Sequence, residues 1–264
     1  MMLNSRSTAN CPATKQKPSV TATWLKPGGS NSSDGLVNSG VLRAELYEGD
    51  TLVARDEADV IVTSAAFAGA QGPTVAVAEP AMRAWAEKLG FDTIDVASLD
   101  LTTPAPGVVW VTAHFGADAQ RYARNGGRVL VLAEDADALG GAFDLLTFAR
   151  LKPRSEDGDW VPRTDWLHRS GPFAAIPGDT VLGIAFEDIL GDLVIKSGIP
   201  NAIRPAVVAS GLFNGWLQGA ASTTVSTAYS QGVVTVSTYR LRATVDSVPV
   251  SAPLGRALVM AAAG

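Results

Sequence analysis

Cysteine, histidine and basic residues are scarce in this chain, and each scarcity closes a class of function. Cys11 is the only cysteine among 264 residues. That excludes an intramolecular disulfide and a cysteine-ligated zinc site. Cys11 also lies in a polar stretch with Pro12 beside it, poor surroundings for a positioned thiolate. His114 and His168 are the only histidines. Imidazole-rich metal sites are therefore out of reach, histidine-dependent catalysis has two candidates, and neither a metal nor a cofactor is expected. The 21 Lys and Arg face 26 Asp and Glu, for a net charge of −5 and a pI near 5.1. The basic residues are scattered singly, which argues against binding a phosphate backbone, so nucleic acid is not an expected partner. No apolar run reaches the roughly 18 residues of a membrane helix, so a membrane is not expected either. The opening MMLNSRSTANCPATKQKP lacks an apolar h-region, which makes a cytoplasmic location the expectation.

What the chain does have is apolar surface to bury: 47% of residues are hydrophobic, 18% are charged, and mean hydropathy is +0.16. That is ample for one large domain or two small ones. Residues 1–40 are rich in Ser, Asn, Thr, Gly and Pro and read as a tail or linker, with Val20 to Leu25 as a candidate edge strand. From Val41 the pattern alternates. VLRAELYEG and TLVARDEADVIVTS flank the turn signal Gly49-Asp50, with Arg43, Glu45 and Tyr47 opposed to Leu42, Ala44 and Leu46. This predicts a β-hairpin over 41–72 with one polar face, which must pack on something to persist.

From Thr74 short apolar strands alternate with helices of about ten residues. TVAVAEP, DTIDVAS, GVVWVTA and RVLVLAE read as strands; AMRAWAEKLG and GADAQRYARNGG read as helices closed by glycine. The reading is an α/β domain over 73–264, a flavodoxin-like parallel sheet of strand order 2-1-3-4 with helices on both faces. DADALGGAFDLL reads as a further helix, 184–197 as a short helix or strand, and TTVSTAYS with GVVTVSTYR as a hairpin. A closing helix is expected from Ser251 to Ala263, with Pro253 harmless in its first turn.

Several phrases, RYARNGGRVLVLAE, EDILGD, ASGLFNGW and VVTVSTYRL, resemble the C-terminal end of bacterial glycoside hydrolase family 2 proteins of the β-galactosidase-like kind. The likeness covers roughly residues 41–262. It implies a class I glutamine-amidotransferase-like α/β domain without amidotransferase chemistry, preceded by the last strands of an immunoglobulin-like sandwich. The family's catalytic barrel would lie outside this chain. In an active amidotransferase the nucleophilic cysteine follows a central strand, a position near Ala133 to Asp135 here, and no cysteine is present. The resemblance therefore implies an accessory domain whose partners are the other domains of a glycoside hydrolase or a second copy in a homo-oligomer.

Candidate chemistry is sparse. Open parallel sheets bind ligands beyond the carboxyl ends of their strands, which singles out Glu79, His114, Glu134 and Asp135. His114 can serve as a general base with Asp118 as its orienter; the blander reading is a loop or helix-cap contact. His168 can activate Ser170, or simply anchor an aromatic loop. Ser210, followed by Gly211, is the nearest imitation of a nucleophile elbow, but no G-x-S-x-G occurs. Glu134, Asp135 and Asp137 can supply a carboxylate pair, or can stabilise a helix start. Trp160, Trp166 and Trp216 suit docking or sugar stacking. The alternatives to an accessory domain are thus a small serine esterase taking a small ester, and a carbohydrate-binding module.

Overall fold

The computed structural model describes residues 19–25, 37–63, 72–143, 146–151, 163–176, 178–197, 206–214 and 219–264. Cys11, Ser64, Glu156, Asp157, Asp159, Trp160 and Trp216 lie outside the described residues. The chain divides into two compact units. The first contains a three-stranded antiparallel sheet: β1 (Ser19–Leu25), β2 (Val37–Glu48) and β3 (Thr51–Thr63), in the order β1-β2-β3. The alternation read from Val41 onward forms the expected hairpin. Its first strand begins at Val37 and β1 adds a third strand, so ordered structure reaches into the segment read as a tail.

The second unit is a mixed α/β domain. Its elements begin β4 (Thr74–Val77), α1 (Pro80–Lys88), β5 (Thr93–Asp95), β6 (Val108–Thr112), α2 (Ala117–Arg124) and β7 (Arg128–Leu132). Then follow β8 (Leu146–Arg150), β9 (Arg163–Leu167), β10 (Leu193–Ser197), β11 (Ala206–Asn214), β12 (Gly219–Tyr229) and β13 (Gly232–Ser237). The chain closes with α3 (Leu241–Thr244) and α4 (Ser251–Ala263). Strands β5-β4-β6-β7-β13 lie side by side and parallel. Beyond them the sheet departs from a purely parallel plan. β12 pairs antiparallel with β13, then runs past its end, where β10 and β8 continue on that side and β11 and β9 pair on the other.

The inner parallel strands β4, β6 and β7 are apolar at their buried positions because both of their faces are covered. Val75, Val77, Val109, Val111, Leu130 and Leu132 point into one layer with Met82, Trp85 and Leu89 of α1 and Leu254 and Leu258 of α4. The alternate residues Ala76, Trp110, Val129 and Val131 point into the other, with Ala119, Tyr122 and Ala123 of α2. Each such aliphatic side chain contributes roughly 1.5–3 kcal/mol on burial. The polar residues of β12 and β13 are accommodated by pairing across the hairpin: Thr224 donates to Ser237 at 3.1 Å, and the Ser226 and Thr235 hydroxyls meet at 2.8 Å. That hairpin turns at Ser230, whose φ of 56° is left-handed.

DADALGGAFDLL does not form a helix over its described residues. The Asp137 N–H bonds the Asp135 carboxylate at 3.0 Å, and turns follow. Gly140 and Gly141 take φ of 52° and 71°, left-handed values that end any right-handed helix. Asp135 and Asp137 therefore start a turn, not a helix. The segment from Ile184 resolves into a 3-10 helix, Ile184–Ile189, followed by β10.

Gly232 is required by close approach alone. A Cβ on Gly232 would lie 2.2 Å from the Gly127 carbonyl oxygen and 2.3 Å from that of Ala123. Backbone cannot swing aside as a side chain can. Gly232→Ala should therefore cost about 2 kcal/mol or more by urea denaturation, the range for overpacking. A loss below about 0.5 kcal/mol would show that the α2–β13 approach is looser than described.

Candidate functional site

The carboxyl ends of the parallel strands gather most of the predicted polar residues. Glu79 follows β4, His114 follows β6, and Glu134 and Asp135 follow β7. Arg242 in α3, not foreseen as a site residue, reaches into this cluster. Its Nε donates to Glu134 Oε1 at 2.9 Å, its Nη2 pairs with Glu134 Oε2, and its Nη1 lies 3.5 Å from Glu79 Oε2. The guanidinium thus forks onto one carboxylate and leans on a second, the geometry arginine favours. Arg242 is largely buried, while both carboxylates are about half-exposed.

His114 is fixed through its backbone. The Thr112 hydroxyl donates to the His114 carbonyl at 2.9 Å and accepts from its N–H at 3.2 Å. The imidazole stays exposed, with Nε2 3.8 Å from Asp135 Oδ2. Its acidic neighbour is Asp135 and not Asp118, which pairs with Arg121 one turn along α2 at 3.0 Å. The side chain of Asp118, in the first turn of α2, is held along its own helix by Arg121 and does not orient His114.

His168 and Ser170 do come together. Ser170 Oγ lies 2.8 Å from His168 Nδ1, so the hydroxyl donates to the imidazole when the ring carries its proton on Nε2. Ser170 precedes the 3-10 helix Gly171–Ala175 yet makes no side-chain cap bond to it; its hydroxyl is turned to the histidine instead. The loop is held at its root. The His168 N–H bonds the Ala209 carbonyl at 2.8 Å, and Arg169 donates to the carbonyls of Asp179 (3.0 and 2.7 Å) and Ile176 while lying over the Phe186 ring. Burial lowers the pKa of Arg169 from its ordinary value. Both members of the Ser170–His168 pair are exposed.

Ser210 is placed differently from the sequence expectation. It sits inside β11 rather than at a strand end, fully buried, at a register irregularity of the β11–β12 pairing. Its hydroxyl meets that of Thr223 at 2.7 Å, so it faces no histidine. The buried Tyr239 hydroxyl lies beside these two, which already bond each other. Burial pushes the Tyr239 phenol up, a rise only partly opposed by Ser210 and Thr223. Nearby Asp165 is buried against Arg163, whose Nη2 donates to Oδ1 at 2.7 Å.

Among the three tryptophans read as docking or stacking surfaces, Trp166 is described. Its indole lies over the β11 backbone at Gly211, where a Cβ would come within 2.9 Å of the ring. One face is therefore spent on packing. Among the described residues no cluster of His, Asp and Glu is arranged to hold a metal ion, and no helix is long and apolar enough to cross a membrane.

No family model and no curated protein matches this sequence. Solved structures do. A carbohydrate deacetylase, Agd3, aligns over 64% of this chain and 30% of its own at 10% identity and a TM-score of 0.37. A cold-adapted β-galactosidase from Rahnella sp. R3 aligns over 71% of this chain and 31% of its own at 12% identity and a TM-score of 0.37. The chain spans about a third of the length of either structure. The link is a distant one to carbohydrate-processing enzymes, too weak to transfer an activity.

Two measurements follow from this geometry. Replacing Arg242 with Ala should leave Glu79 and Glu134 uncompensated and cost about 0.5–1 kcal/mol, an effect that 1 M salt should largely erase. A salt-independent loss would mean that Arg242 acts through packing. Tyr239 is the second. The unfolded chain releases its phenolic proton near the ordinary 10.0, whereas the folded chain retains it, so stability falls as pH rises past that value. Tyr239→Phe should flatten this alkaline fall.

Proposed function

We propose that this chain is a non-catalytic accessory or interaction domain of the family 2 glycoside hydrolase type. On this reading its α/β unit follows a flavodoxin-like, amidotransferase-like plan and supports a catalytic barrel or oligomer contacts. The observation that carries the reading is the occupation of the strand tips by the chain's own ion pairs. Where an amidotransferase would present its nucleophile, this chain has Ala133, buried with its N–H on the Ser237 carbonyl at 2.8 Å, and Glu134, with both oxygens engaged by Arg242. A crevice filled this way offers neither a nucleophile nor an open cradle. The exposed apolar residues Val181, Ile184 and Phe213 of the same unit suit a domain that docks on others.

A second reading rests on the 2.8 Å contact between Ser170 and His168. A serine hydroxyl donating to an imidazole is the first requirement of a hydrolytic nucleophile. The other requirement is an acid orienting the far ring nitrogen, and none engages His168 among the described residues. The contact spans two residues of one turn, a spacing that loop geometry produces without catalysis.

Both readings are separated by assaying the chain against nitrophenyl acetate, nitrophenyl butyrate and nitrophenyl β-galactosides, alongside His114→Ala, His168→Ala and Ser170→Ala. The expected outcome is background hydrolysis in all four proteins. Saturable ester turnover lost in both the His168 and Ser170 variants would replace the accessory reading with a serine hydrolase. Galactoside turnover would overturn it as well.

A further inference from the structure

The three-stranded sheet has two chemically opposite faces. On one, the Arg43 Nε donates to Glu57 at 2.8 Å, the Arg55 Nε donates to Glu45 at 2.8 Å, and the Tyr47 hydroxyl donates to Glu45 at 2.8 Å. These bonds place Arg43, Glu45, Tyr47, Arg55 and Glu57 on one face. The register of β1, with Thr21 opposite Glu45 and Val20 opposite Leu46, assigns its residues too. Because side chains alternate, the other face carries Val20, Ala22, Leu42, Ala44 and Leu46. Val20 is 71% exposed and Leu42 39%.

We propose that this apolar face is the interface of a homodimer, in which a second copy of the same sheet stacks on it to form a six-stranded sandwich. Face-to-face packing at about 10 Å is the ordinary way for a one-sided sheet to bury its apolar residues. The dimensions fit. Strands of 7, 12 and 13 residues, at about 3.4 Å per residue and 4.8 Å between strands, present roughly 500 Å² per copy. Two copies then cover about 1,000 Å², the lower limit of a specific interface. The charges leave the centre of the face clear. Glu48 adjoins the turn and Asp56 lies on an edge strand, so the acids sit at the rim and no basic group interrupts the centre. A face with an uncharged middle is complementary to itself, as a two-fold contact requires. The acidic rims repel across that axis, so the dimer is tighter in high salt. This inference is independent of whether the α/β unit is catalytic.

The test is sedimentation equilibrium of the whole chain at roughly 1 to 100 µM, the range for a weak interface. The expected result is reversible association to twice the 27.4 kDa chain mass, strengthened by raising salt. Leu42→Lys and Val20→Lys should each weaken it at least tenfold. Thr21→Lys, opposite Glu45 on the ion-paired face and exposed, should leave it unchanged. Circular dichroism checks that the variants fold, and Leu42→Thr, which keeps β-propensity, must weaken association in the same direction if the lysine variant does not fold. A chain that is monomeric throughout overturns the proposal, as it would if the face were covered within one molecule. So does a dimer indifferent to Leu42 and Val20. Either failure leaves the accessory reading standing, since that reading fails only on turnover.

Discussion

The burial of β4, β6 and β7 on both faces is the constraint on which the α/β unit depends. A strand with Val75 and Val77 on one side and Ala76 on the other has no solvated face, so helices must cover both sides. Once they do, side-chain chemistry along those strands is confined to their ends. Parallel strands bring their carboxyl ends to one edge, and so Glu79, His114, Glu134 and Asp135 meet there despite their separation in sequence. Their gathering follows from the core rather than from any attraction among them.

Mutual neutralisation then decides what that edge can do. Arg242 arrives from α3, immediately after β13 joins the parallel set, and its fork takes Glu134 while leaning on Glu79. Three carboxylates and one exposed imidazole without the arginine would be an acidic mouth. With it Glu134 is paired through both oxygens and Glu79 is drawn in, while three acids still outnumber one arginine. The antiparallel extension around β12 shows the same economy among hydroxyls, where Ser210, Thr223, Thr224, Ser226, Thr235 and Ser237 satisfy one another in pairs. Tyr239 is left over, a buried phenol whose neighbours already have partners.

The two histidines illustrate how local and long-range structure divide the work. His168 meets Ser170 because two residues in one turn are always near each other, and the loop that presents them is stapled by Arg169. His114 was expected to meet Asp118 by the same local logic. Instead Asp118 pairs with Arg121 along α2, and β7 brings Asp135 alongside His114.

Periodicity alone was enough to read the hairpin around Gly49, the strand-helix alternation from Thr74, the glycine-closed helices and the final helix from Ser251, because each depends on neighbours within a few residues. The opposition of Leu42, Ala44 and Leu46 to Arg43, Glu45 and Tyr47 was likewise plain, and the sheet keeps it. Where left-handed glycines interrupt an apolar pattern, at Gly140 and Gly141, the pattern misled: apolar spacing suggested a helix that backbone geometry forbids. Only tertiary structure could decide that β12 outruns β13 and forks the sheet, that Ser210 is sealed inside a strand, and that Arg242 closes the strand tips. Those outcomes depend on strand pairing and ion pairing between residues as far apart as Glu79 and Arg242, and no local preference encodes such a distance.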